Sequence, residues 1–122
     1  MCVNVFVADD AAVMRKTIRS LLSDREDISV VGEASNFHET IQETAELHPD
    51  LIILDVNMVD SNRIALTEAK HLLNGAKVLA ISFGTDDRTK ELLDSVGAAK
   101  FLDKMELANE LIPAILELAP AA

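Results

Sequence analysis

Short apolar runs and helical apolar stripes alternate five times along this chain, and few folds accommodate that alternation. Residues 3–8 read as a buried strand, after which Met14, Ile18, Leu21 and Leu22 recur on one face of a helix. Residues 28–31 form a short β-branched run, followed by Phe37, Ile41, Thr44, Ala45 and His48 at helical spacing. Pro49 closes that helix, because the residue before a proline is pushed out of the α region. Residues 51–54 make a third strand, and Ala65, Ala69, Leu72 and Leu73 mark a third helix. Asn74-Gly75 is a C-cap and turn signal; residues 77–81 are a fourth strand, and Thr89, Leu92, Leu93 and Val96 a fourth helix ending at Gly97. Residues 98–102 give a weaker fifth strand, and residues 106–118 a fifth helix in which Pro113 should produce a kink or mark the first turn. Five strand-then-helix units predict an α/β fold, with a parallel sheet, helices on both faces and right-handed crossovers.

At 122 residues the chain is long enough for one core and too short for two, so residues 1–122 are expected to form a single domain. The net charge of −10 and the absence of a basic stripe argue against a nucleic-acid surface, which needs clustered Lys and Arg. Its apolar runs are far shorter than the roughly 20 residues that span a bilayer. The N-terminus has no basic region and reaches two aspartates by position 9, unlike a signal peptide. A cytoplasmic location is therefore expected. Cys2, the single cysteine, has no partner for an internal disulfide and no zinc-ligand spacing around it.

The polar residues that end the strands carry the chemistry. Asp9 and Asp10 follow the first strand, Asp55 ends Leu-Ile-Ile-Leu, Ser82 ends Val-Leu-Ala-Ile, and Lys104 follows Phe-Leu-Asp. In a parallel sheet the carboxyl ends of the strands share one edge, so these residues can converge there. Each has an ordinary reading: an aspartate as an N-cap, a serine as a turn residue, a lysine as a solvated surface group. Asp55 resists that treatment, since it ends a strand apolar on both faces, where an unpaired charge is expensive. Three carboxylates repel unless a cation sits among them, and hard oxygen ligands suit Mg²⁺. An aspartate can also accept a phosphoryl group when a cation and hydrogen-bonding groups neutralise the other oxygens. Lys104 and Ser82 are the candidates for those groups.

In this order the residues resemble the receiver domain of two-component response regulators, with an acidic pair after the first strand, an acceptor Asp after the third, Ser or Thr after the fourth and Lys after the fifth. The stretch Asp-Ile-Ser-Val-Val-Gly-Glu-Ala-Ser at 27–35 is similar to receivers that carry helix-turn-helix domains. The resemblance implies a flavodoxin-like doubly wound sheet of five strands, order 2-1-3-4-5, with five helices. It further implies Mg²⁺-dependent phosphotransfer from a sensor histidine kinase or phosphotransfer protein to Asp55. Asp10 and Asp55 would bind the metal directly, Asp9 through water, and Asn57 through its backbone carbonyl. Ser82 and Lys104 would hold phosphoryl oxygens, and Phe101 would be the aromatic switch, its alternative being a core aromatic. Output would be a changed surface on the fourth helix, fifth strand and fifth helix, where a weak dimer could also form, with no direct contact to nucleic acid or membrane.

The chain departs from the family's usual pattern after the acceptor: Val59 follows Met58, Asn62-Arg63 stands where Asp-Gly is common, and Met105 replaces the proline after the lysine. Arg63 lacks the glycine's tolerance of positive φ, so the loop after the third strand is expected to take another path. Two rival readings are a Mg²⁺-dependent phosphatase with an aspartyl-phosphate intermediate and a degenerate receiver that only binds a partner. Such phosphatases need a carboxylate at position 57, which is Asn here. The chain is accordingly expected to catalyse only its own phosphorylation and dephosphorylation. It would be either a stand-alone receiver or the first domain of a longer regulator.

Overall fold

The computed structural model describes residues 2–60, 75–84 and 87–119. Its strands are β1 (Val3–Ala8), β2 (Ile28–Ala34), β3 (Leu51–Asp55), β4 (Lys77–Ser82) and β5 (Ala98–Asp103). They form one parallel sheet in the order β2-β1-β3-β4-β5. The helices are α1 (Ala12–Leu22), α2 (Phe37–Leu47), a single turn α3 (Asn57–Asp60), α4 (Asp87–Val96) and α5 (Leu107–Leu118). The third helix expected around Ala65–Leu73, the Asn74 turn signal and the Asn62-Arg63 departure lie outside the described residues; four full helices stand among the described ones.

Period-two alternation sorts the strand residues onto two faces. One face gathers Val5, Val7, Leu51, Ile53, Leu79, Ile81 and Leu102 under Ile18 and Leu22 of α1 and Leu111 and Ile115 of α5. The other gathers Phe6, Ala8, Ile52, Leu54, Val78 and Ala80 against Phe37 of α2, Met58 of α3 and Val96 of α4. Five consecutive buried residues in β3 reflect its central position, covered on both sides.

β2 runs three residues beyond the expected 28–31, through Gly32-Glu33-Ala34. The register with β1 shifts there: Val5 pairs Val30 and Phe6 pairs Gly32. A Cβ on Gly32 would lie 2.9 Å from side-chain atoms of both Phe6 and Leu47, so any larger residue at the bulge would have to displace them. α2 begins at Asn36, whose side chain accepts from the Glu39 N–H at 2.8 Å and donates to the Glu39 carboxylate at 2.9 Å. It ends at His48 in the left-handed region, φ 47°, just before Pro49.

The last helix spans nearly the expected range: Lys104–Glu106 forms a 3₁₀ turn, and α5 starts at Leu107. Of the two expectations for Pro113, the first-turn one is not met: it sits in the helix interior, on the exposed side. No helix among the described residues is long and apolar enough to cross a membrane.

Candidate phosphoryl and metal site at the carboxyl edge

The sheet brings Asp9, Asp10, Asp55, Ser82 and Lys104 to one edge, as the strand ends require. Asp9 continues the row Val5-Val7, Asp55 continues Leu51-Ile53, and Lys104 stands two residues past Leu102, all on the α1/α5 side. Ser82 continues Val78-Ala80 on the α2/α4 side. Asp9, Asp55, Ser82 and the Lys104 side chain are all nearly or fully buried, whereas Asp10 is exposed.

Lys104 supplies the cation that the buried carboxylates require. Its Nζ lies 2.8 Å from Asp9 Oδ2 and donates to Asp55 Oδ2 at 3.2 Å. Burial by itself would lower the Lys104 pKa, but the two carboxylates outweigh it and hold the ammonium above its usual range. Burial is also the largest influence on Asp55, whose carboxyl is raised above the ordinary range despite the opposing pull of Lys104. The Asn57 N–H donates to Asp55 Oδ1 at 3.0 Å and further fixes the carboxylate.

Neither aspartate of the acidic pair is the N-cap of α1. That position belongs to Ala11, with no side-chain cap, while Asp9 Oδ1 accepts the Ala11 N–H at 2.8 Å. The competing explanation of these residues as helix caps is thereby removed. Asp9 Oδ2 is buried and, although ion-paired with Lys104, makes no aligned hydrogen bond. One carboxylate oxygen from each of Asp9, Asp10 and Asp55 can be chosen so that all lie within 4.8 Å of one another. An oxygen-only donor set with an unsatisfied buried acceptor fits a hard divalent cation.

Phe101 is half-buried and packs against the α2/α4 cluster, with Ala80 as its Cα partner on β4. It thus shares a face with Ser82, one step further from the edge. Three features of the site escaped the sequence reading. The Asn57 side chain donates to Ser82 Oγ at 3.4 Å, in addition to what its backbone offers. Phe83, 63% exposed, places its ring centroid 5.3 Å from Lys104 Nζ, within cation–π range. Arg15 donates to the Asp9 carbonyl at 2.7 Å. Only Phe83 carried a signal, as an aromatic directly after a strand-end serine; the Arg15 bond depends on a loop path that periodicity does not give.

Residues 5–116 match the model of the response regulator receiver domain. Over 116 residues the chain is 38% identical to a protein-glutamate methylesterase/protein-glutamine glutaminase of Methanosarcina acetivorans, covering 92% of this chain and 33% of that protein. It is 37% identical over 117 residues to the response regulator protein VraR of Staphylococcus epidermidis, covering 94% of this chain and 56% of VraR. The chain thus spans about a third to just over half the length of these relatives. Among solved structures it is similar to the response regulator domain of Thermotoga maritima CheB, with TM-score 0.80, 27% identity and coverage of 97% and 96% of the two chains. The signal receiver domain of the putative response regulator NarL from Mycobacterium tuberculosis gives TM-score 0.80 and 27% identity, with coverage of 95% and 94%. With the sheet order, the clustered acidic residues and the family match in agreement, the chain belongs to the response regulator receiver domains, the phosphoacceptor modules of two-component signalling.

Proposed function

We propose that Asp55 is the phosphoryl acceptor and that Mg²⁺ is held by Asp10 and Asp55 directly, by Asp9 through water and by the Asn57 backbone carbonyl. The observation that carries this reading is a buried strand-end carboxylate fixed by Lys104 and Asn57, beside a second buried carboxylate with an unsatisfied oxygen. Bound there, Mg²⁺ would supply positive charge against the phosphoryl oxygens. An Asp55 oxygen attacks phosphorus while the P–N bond of a phosphohistidine breaks, its electron pair leaving with the imidazole. The donor is a histidine kinase or a phosphotransfer protein. Lys104, already at Asp55, meets one phosphoryl oxygen. Ser82 receives a hydrogen bond from Asn57, which leaves its own O–H free to donate to another.

In the same reading Phe101 turns inward as Ser82 moves, a two-state shift biased by the phosphoryl contacts. The strand neighbour of Phe101 is the small Ala80. The altered surface comprises α4, β5 and α5, through which a weak dimer could also form. Residues 1–122 act as one receiver unit in the cytoplasm, binding no nucleic acid themselves. The chain acts on no separate substrate: Asn57 offers no acid/base carboxylate to a phosphatase mechanism.

The test is intact-mass measurement after incubation with acetyl phosphate and Mg²⁺. One phosphoryl adduct is expected on the native protein and none on Asp55→Asn; equal yield in the variant would assign the acceptor elsewhere.

A further inference from the structure

The Gly-Glu-Ala segment at the end of β2 contributes nothing to the site directly, yet two of its residues grip the chain where the acidic pair begins. The Ala34 carbonyl accepts the Asp9 N–H at 3.1 Å. On the other side of the same residue, the Asp9 carbonyl accepts from Arg15 Nη1 at 2.7 Å. That guanidinium is itself held, its Nε donating to Glu33 Oε1 at 3.0 Å. The other Glu33 oxygen takes Arg19 Nη1 at 2.8 Å. Arg15 and Arg19 are four residues apart on α1 and so lie on one side of the helix.

The Asp9 carbonyl belongs to the peptide plane that leads into Asp10. Asp10 is exposed, and its carboxylate has no protein partner among the described residues, so the backbone is what orients it. Asp9 and Asp55 are buried and held by neighbouring groups; among the described residues Asp10 has only this peptide plane. A guanidinium can bond the carbonyl with one nitrogen and Glu33 with another, because its donors are fixed in a planar fork.

We propose that Glu33 and Arg15 are positioning residues that set the Asp9–Asp10 peptide, and through it the affinity of the acidic trio for Mg²⁺. This rests on the reading of that trio as the Mg²⁺ site. The alternative is a staple that only joins α1 to β2, and Arg19 serves as its internal control. It shares Glu33 but does not touch Asp9.

The experiment measures Mg²⁺ dissociation constants by amide chemical-shift titration of the full chain, with urea unfolding of the metal-free proteins alongside. Losing an outer-shell partner of a metal site weakens binding by about 10- to 100-fold, so Arg15→Gln should lose about tenfold, whereas Arg19→Gln should stay within about a factor of two. Arg15→Lys keeps a cation for Glu33 but lacks the fork, and it should also lose affinity; it covers the case in which Arg15→Gln does not fold. Native affinity in Arg15→Lys, or an equal loss in Arg19→Gln, overturns the proposal in favour of the staple. A native protein with no Mg²⁺ response at all instead overturns the reading of the trio, and the positioning role with it.

Discussion

The two faces of the sheet end differently at the carboxyl edge. On the α1/α5 side the aliphatic rows end in charge: Asp9, Asp55 and, just beyond β5, Lys104. On the α2/α4 side they end in a hydroxyl, Ser82, with Phe101 one step behind it. The first side is built to hold charge in fixed places, and the second has the small and aromatic residues that a rearrangement needs. A phosphoryl group on Asp55 would touch both. Under the proposed function, the contrast separates chemistry from signalling by one residue of strand parity.

Removing the cation from the charged side should give the largest effect. Lys104→Met leaves Asp9 and Asp55 buried without their partner and should destabilise the metal-free protein by about 3–5 kcal/mol at pH 7. Urea unfolding measures this. Mg²⁺ should recover part of the loss, and a near-neutral substitution would mean that the two carboxylates are not ionised together.

On the other side the expected stability change is smaller and the signalling change larger. Phe101→Leu should cost about 1–2 kcal/mol, because Phe101 is only half-buried and loses part of an apolar side chain. Phosphoryl loading should stay at the native level. The chemical-shift changes caused by beryllofluoride should then stop short of α5, whereas in the native protein they should reach it. Identical spreading in both proteins would remove Phe101 from the switch.

The smallest effect is a pH slope that belongs to the charged side alone. Asp55 has a raised pKa in the folded protein, through burial first, so the native state holds that proton more tightly than the unfolded chain. Its contribution to stability is present below the ordinary carboxylate value of 3.8 and is lost as pH rises through the raised one. Unfolding free energies of the metal-free native protein and Asp55→Asn, measured across that window, should converge towards acid on one curve shape and diverge above it. Substituting Ser82 with Ala should leave the slope in place; if it does not, charge and switch are not separable.

Much of this was legible in the sequence. The strand ends at Asp55 and Ser82 mark where apolar runs give way to polar groups, and parity then assigns each to a face. Lys104 was legible in identity but not in environment: nothing local says that a lysine after Phe-Leu-Asp is buried between two aspartates. The extension of β2 through Glu33 was missed because a glycine inside a strand reads as a break unless the bulge is known. Pro113 was legible as lying inside the last helical pattern, but the 3₁₀ turn at Lys104–Glu106 was not, because turns of that kind carry no periodicity.

The strand order also gives Lys104 a role in the sequence of assembly. β2, β1 and β3 are complete within the first 55 residues and lie side by side, and β4 and β5 are added beyond β3. In the finished fold Asp9 and Asp55 are buried against the Lys104 ammonium, so a sheet that reached the same burial without it would hold two uncompensated carboxylates. The compensating charge arrives with β5, the last strand and the far edge. Burying the two carboxylates is therefore favourable only together with the segment that carries Lys104, which couples the two halves of the sheet in one cooperative transition. The ammonium that holds Asp9 and Asp55 in place thereby also discourages the chain from stopping partway.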